Sequence, residues 1–139
     1  MKITFIVLLV TASLLPACQP NYQNRDAALA VHDEIMPKME VFMQHSMHID
    51  TLLSHLDSLH QMDSGIDTIA LSQTLHEAKE QIKQSNDAMN DWMHAFELEP
   101  QGNKAQIEAY FLQQKNKIDS VNSLYQQTTL KLKSIDLLN

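Results

Sequence analysis

The residues with the most chemistry to offer are thioethers and imidazoles. Apart from Met1 the chain has seven methionines, Met36, Met39, Met43, Met47, Met62, Met89 and Met93, and it has seven histidines but a single cysteine, Cys18. On a helix turning ~100° per residue, His32, Met36, Met39, Met43 and Met47 fall within an arc of roughly 80°. Met89, Trp92, Met93 and His94 form a second window. If the chain doubles back about Gly65, antiparallel pairing sets position 36 opposite about 94 and 43 opposite about 87, so the two windows converge. Tyr110 and Phe111 of a third segment arrive at the same end. Thioether and imidazole donors without a thiolate suit a soft monovalent cation, Cu(I) or Ag(I). The candidate ligands are His32, Met36, Met39, Met43, Met89, Met93 and His94, and Trp92 could cover the cation through its ring quadrupole.

A plainer reading stands beside that one. Methionine at helical spacing fills irregular gaps in a core and makes sulfur–aromatic contacts, here with Phe42, Trp92, Phe96 and Phe111. His32 and His94 would then only flank an apolar seam. Methionine-rich faces also serve as adaptable grooves for partners. The donor set itself resembles that of small periplasmic copper-efflux chaperones, which use two Met, one His and a Trp. Those proteins are β-barrels, so the likeness is one of ligands and not of fold.

The other histidines offer less. His45 and His48 are three apart, and hairpin pairing brings His55 near His76 with Asp57 close by, which would make a surface zinc pair conceivable. A third ligand does not converge there, so solvated histidines on an acidic helix are the better expectation. Asp57-x-x-His60 and Asp91-x-x-His94 echo the carboxylate–histidine spacing of di-iron bundles, but they fall at opposite ends of the fold. The sequence holds no nucleophile elbow, no His-Glu-x-x-His and no carboxylate pair on an apolar face. A non-enzymatic role is expected.

Composition sets the frame for these side chains. With 139 residues, 44% hydrophobic and 19% charged, the chain has room for one domain. Two glycines are too few for β-architectures rich in left-handed turns, or for a glycine-rich phosphate loop. Seventeen acidic against ten basic residues argue against nucleic acid as a partner, because a phosphate-binding surface needs clustered positive charge.

Three long helices must position the candidate residues. The first, about Asp26 to Met62, has the seam Ala28, His32, Ile35, Met39, Phe42, Ser46, Ile49, Leu53, Leu56 and His60. The second, about Thr68 to Glu99, has Leu71, Leu75, Ala78, Ile82, Ser85, Met89, Trp92 and Phe96. The third, about Lys104 to Leu138, has Ile107, Phe111, Gln114, Ile118, Val121, Tyr125, Thr128, Leu132 and Ile135. Steps alternating between three and four are the signature of coiled-coil-like packing. Met62-Asp63-Ser64-Gly65 reads as a turn with Asp67 capping the second helix; Pro100-Gln101-Gly102 ends it and Asn103 caps the third. Short loops make neighbours antiparallel, so the expected fold is an all-α, up-down-up antiparallel three-helix bundle over residues 26–139. Pro37 removes one donor and crowds the Asp33 carbonyl, which predicts a kink in the first helix. Self-association into a larger bundle stays open.

The first residues read as an address. Met1-Lys2 and the apolar run Ile3 to Leu15 match a signal peptide and are too short for a membrane span. The run ends in Leu15-Pro16-Ala17-Cys18, which resembles a bacterial lipobox with Cys18 as the lipidated residue, although Pro16 replaces the usual small residue. Residues 1–17 are therefore expected to be the signal peptide and 18–25 a lipidated, flexible tether. Loss of Lys2 with the leader takes the net charge from −7 to −8 and leaves 122 residues. Gln19 after the cysteine, followed by a stretch without acids, points to the outer membrane facing the periplasm. With no second cysteine, no intramolecular disulfide can form.

The windows His32-Asp33-Glu34-Ile35-Met36-Pro37-Lys38-Met39 and Ala88-Met89-Asn90-Asp91-Trp92-Met93-His94 resemble those of small Bacteroidota lipoproteins, some of them labelled viral A-type inclusion protein homologues. That label reflects coiled-coil composition. The resemblance covers the two windows and the overall plan, less so the third helix. It implies an anchored helical protein and brings no assigned activity, so the expected role is a binding or structural module of the cell envelope. Its partner would be the membrane through Cys18, together with another envelope protein.

Overall fold

The computed structural model describes residues 22–135. The signal segment 1–17, Cys18 and the tether as far as Asn21 lie outside the described residues, as do residues 136–139. The described chain is all-helical: α1 (Gln23–Ser54), α2 (Leu56–Met62), α3 (Thr68–Ala95) and α4 (Lys104–Ser134), with no strand among the described residues.

The seams become the core. On α3, Leu75, Ala78, Ile82, Ser85, Met89 and Trp92 are buried, and on α4 Phe111, Gln114, Ile118, Val121, Tyr125, Thr128 and Leu132. On α1 only every seventh residue is fully buried, namely Ala28, Ile35, Phe42 and Ile49. The intervening seam positions His32, Met39, Ser46 and Leu53 are half-buried. This follows from α1 packing on both α3 and α4. One ridge of α1 enters the groove between them, and the flanking residues on either side form the edges of the contact.

Inter-helix contacts give the directions. His32 meets Trp92 and Asp50 pairs with Lys79, so α1 and α3 run oppositely. Glu77 pairs with Lys131 at 3.0 Å and Trp92 bonds Gln114, so α3 and α4 also run oppositely. Tyr22 touches Phe111 and Phe42 stacks on Tyr125, so α1 and α4 run in the same direction.

Helix ends match the expected caps but not all of the expected lengths. The Asp67 carboxylate accepts from the amides of Ile69 (3.1 Å) and Ala70 (3.0 Å) at the start of α3. Asn103 and Gln106 form a reciprocal capping box at the start of α4. Just ahead of it Gly102 has φ +146°, and a Cβ there would stand 3.1 Å from Gln106, so glycine is the residue that fits.

The first helix was expected to run to Met62, but it breaks at His55. The Ser54 hydroxyl donates to the Thr51 carbonyl (2.8 Å), and the His55 ring donates from Nδ1 to the same carbonyl at 2.7 Å. Side chains thus take a carbonyl that the next turn would use. Packing agrees: from the Phe42–Tyr125 stack, nine further residues bring α4 to Ser134, where that helix ends, and α1 to Thr51. α2 packs on α3 and buries no residue. The second long helix stops at Ala95, not Glu99, because the Tyr110 phenol accepts from the Glu97 amide (2.6 Å) and donates to the Ala95 carbonyl (3.2 Å). α1 begins at Gln23, ahead of the expected Asp26, with the Tyr22 ring 5.2 Å from Phe111. It runs unbroken through Pro37, which is exposed, so the Asp33 carbonyl that loses its helical donor can be hydrated.

Candidate functional site

The site is built on Trp92. α3 buries its indole among the core residues, and α4 fixes its rotation because Nε1–H donates to the main-chain carbonyl of Gln114 at 3.1 Å. One turn on, Phe96 lies 4.7 Å from the indole at 32°. From α1, the His32 imidazole approaches to 5.7 Å at the same tilt. Phe96 in turn meets Phe111 at 6.2 Å, and Phe111 meets Tyr22 at 5.2 Å. A continuous run of rings therefore joins the start of α1 to the end of α3.

The seam between α1 and α3 opens beside these rings into a hollow of about 250 Å³ lined by Leu29, His32, Trp92, Met93, Phe96 and Leu98. His32 is oriented within it. Its Nδ1 stands 2.9 Å from Asp33 Oδ1, and a carboxylate can only accept, so Nδ1 carries the hydrogen and Nε2 keeps its lone pair in the neutral ring. Met93 packs against the core from the hollow's wall. Met36 is one turn after His32 on the same helix face and 38% exposed.

The other candidates are dispersed. Met89 is fully enclosed in the core, Met39 is half-buried against it, and His94 is exposed on α3. Met43 is 57% exposed and lines a separate, charged groove with Ser46, His76, Lys79, Lys83 and Asp87. The ion pair between Asp50 and Lys79 fits the register expected for the hairpin, and Met43 and Asp87 line the same groove. Phe42 stacks on Tyr125 at 5.0 Å. Among the described residues no three His, Cys, Asp or Glu side chains gather around one point.

Two contributors had no signal in the periodic pattern. Tyr22 falls off the α1 seam, and Asp33 is an exposed helix residue distinguished only by standing next to His32. No protein family, curated protein or solved structure matches the chain.

Proposed function

We propose that this protein is a non-enzymatic module of the cell envelope, lipid-anchored through Cys18, whose helical body serves as a binding or structural element on the periplasmic face of the outer membrane. In this reading α1, α3 and α4 form an up-down-up antiparallel three-helix bundle, with α1 bending at Pro37. The observation that carries it is the position of Cys18, the sole cysteine, at the end of a lipobox-like sequence and four residues before Tyr22, where the helical body begins. The resemblance to Bacteroidota lipoproteins supports the same reading. No helix of the described residues is long and apolar enough to cross a membrane.

The bundle offers a partner an adaptable surface. Met36, Met43 and Met47 project along one stripe of α1 with 38–60% of their surface exposed. Unbranched thioethers repack against different shapes at small entropic penalty. The test is to express the full chain in a bacterial host fed a clickable palmitate analogue. Lipid is expected on the parent protein and absent from Cys18→Ser, which should leave the membrane fraction. Equal labelling of both, or membrane retention of Cys18→Ser, refutes the anchor.

A further inference from the structure

We propose that His32, Met36 and Met93 hold one soft monovalent cation, Cu(I) or Ag(I), against the indole of Trp92. Three features of the hollow and its rim point to a ligand site rather than to packing. The first is His32, whose free Nε2 is the donor atom of a neutral imidazole. Its other nitrogen is held by Asp33 at 2.9 Å, the carboxylate–histidine arrangement that fixes ring orientation and raises donor basicity in metal sites. The second is the direction of the thioethers. Side chains on a helix lean toward its N-terminus. Met36 stands outside the lining of the hollow, one turn after His32; because α1 and α3 are antiparallel, this lean directs Met36 toward the level of Trp92 and Met93, and Met93 back toward Met36. The third is the indole. Its Nε1–H is committed to the Gln114 carbonyl and its ring lies beside His32, so a cation on Nε2 sits next to a π-face with no carboxylate among the lining residues.

Two thioethers and one imidazole match the preference of a soft d10 ion for sulfur and its tolerance of low coordination number, and they suit zinc or magnesium poorly. Met89, enclosed beneath the site, and Met43, in the charged groove, are not needed by it.

The site lies wholly within the helical body and does not depend on the anchor, so Cys18→Ser should bind the cation as the parent does. The experiment is an anaerobic titration of the full chain in detergent micelles with Cu(I), repeated with Ag(I), following fluorescence of Trp92, the sole tryptophan. Quenching is expected to stop at one cation per chain and to compete with a chromophoric chelator. Met36→Leu and Met93→Leu should each abolish the quenching while the helical circular dichroism stays, since Leu for Met preserves volume. Met62→Leu, on α2 and far from the hollow, should titrate as the parent. Asp33→Asn, an exposed change that leaves the fold intact, should weaken binding by about 10–100-fold through the ring it orients. Absence of quenching at stoichiometric cation overturns the proposal. So does quenching that persists in Met36→Leu/Met93→Leu, or an Asp33→Asn protein that binds as tightly as the parent.

Discussion

Ser85 on α3 and Thr128 on α4 share a 2.8 Å hydrogen bond between their hydroxyls while only 1% and 2% exposed. Thr128 Oγ1 also lies 3.4 Å from the Gln81 carbonyl, so the chain of donation runs from Ser85 to Thr128 to Gln81. This pair fixes one register between α3 and α4, since sliding either helix would bury both hydroxyls against carbon. Thr128→Val strands the Ser85 hydroxyl and should destabilise by about 1–3 kcal/mol, whereas adding Ser85→Ala should recover much of the loss. A double-mutant cycle from urea unfolding checks this, with a coupling of about 1 kcal/mol expected. Strictly additive effects would mean that the hydroxyls do not pair.

Gln114 is the opposite case. It is buried at the α4 seam, and its Oε1 has no hydrogen-bond partner, while its main-chain carbonyl receives Trp92. An enclosed amide oxygen without a donor is penalised by roughly 1–3 kcal/mol. Gln114→Leu removes that atom, keeps the main-chain contact and should raise the urea midpoint by the equivalent of about 1 kcal/mol or more. A lowered midpoint would show that the amide is satisfied.

Much of this architecture was legible because helical periodicity is a backbone property. Every α3 and α4 position from Leu75 to Trp92 and from Phe111 to Leu132 that the seams nominated is buried, the polar Ser85, Gln114 and Thr128 included. What periodicity cannot show is which polar seam residues find each other across the interface, because that depends on register. Nor does it show where side chains take over backbone hydrogen bonds, as Ser54 and His55 do at the α1–α2 break and Tyr110 does at Ala95 and Glu97. The candidate site divides in the same way. Hairpin pairing brought His32 to Trp92 and Met93, but the methionines, read as a single cluster, are parcelled out: Met39 and Met89 pack in the core, Met43 lines a charged groove, Met93 lines the aromatic hollow and Met36 is exposed beside it.

Both caps named from the sequence should be measurable. Asp67→Ala removes the acceptor for the Ile69 and Ala70 amides, and Asn103→Ala dismantles the capping box with Gln106. Each should reduce stability by about 1 kcal/mol in urea unfolding, and the two should add because they cap different helices. Ile69→Ala, which alters a largely exposed side chain two residues after Asp67, should stay within about 0.5 kcal/mol of the parent. A loss at Ile69 as large as at Asp67 would assign the effect to local packing instead of capping.

Tyr125 links burial to pH. Its ring is fully enclosed and stacked on Phe42, its hydroxyl donates to Asn86 Oδ1 at 2.7 Å, and burial pushes the phenol up to about 12. An unfolded tyrosine ionises near ~10. Between these values the unfolded chain releases a proton that the folded chain keeps, so the unfolded state binds fewer protons and stability falls as pH rises. The stabilisation is intact below the unfolded value and is lost through the folded one, on the order of 2 kcal/mol in all. Tyr125→Phe should be less stable than the parent by about 1 kcal/mol near neutral pH, where it lacks the bond to Asn86. Its advantage should emerge on the alkaline side, where it has no phenol to ionise, so the difference in urea midpoints narrows and then reverses. Lysine titration affects both proteins alike and cancels in that difference. A gap that stays constant across the alkaline range would mean that the phenol ionises equally in both states, and the enclosure of Tyr125 would then not govern its proton.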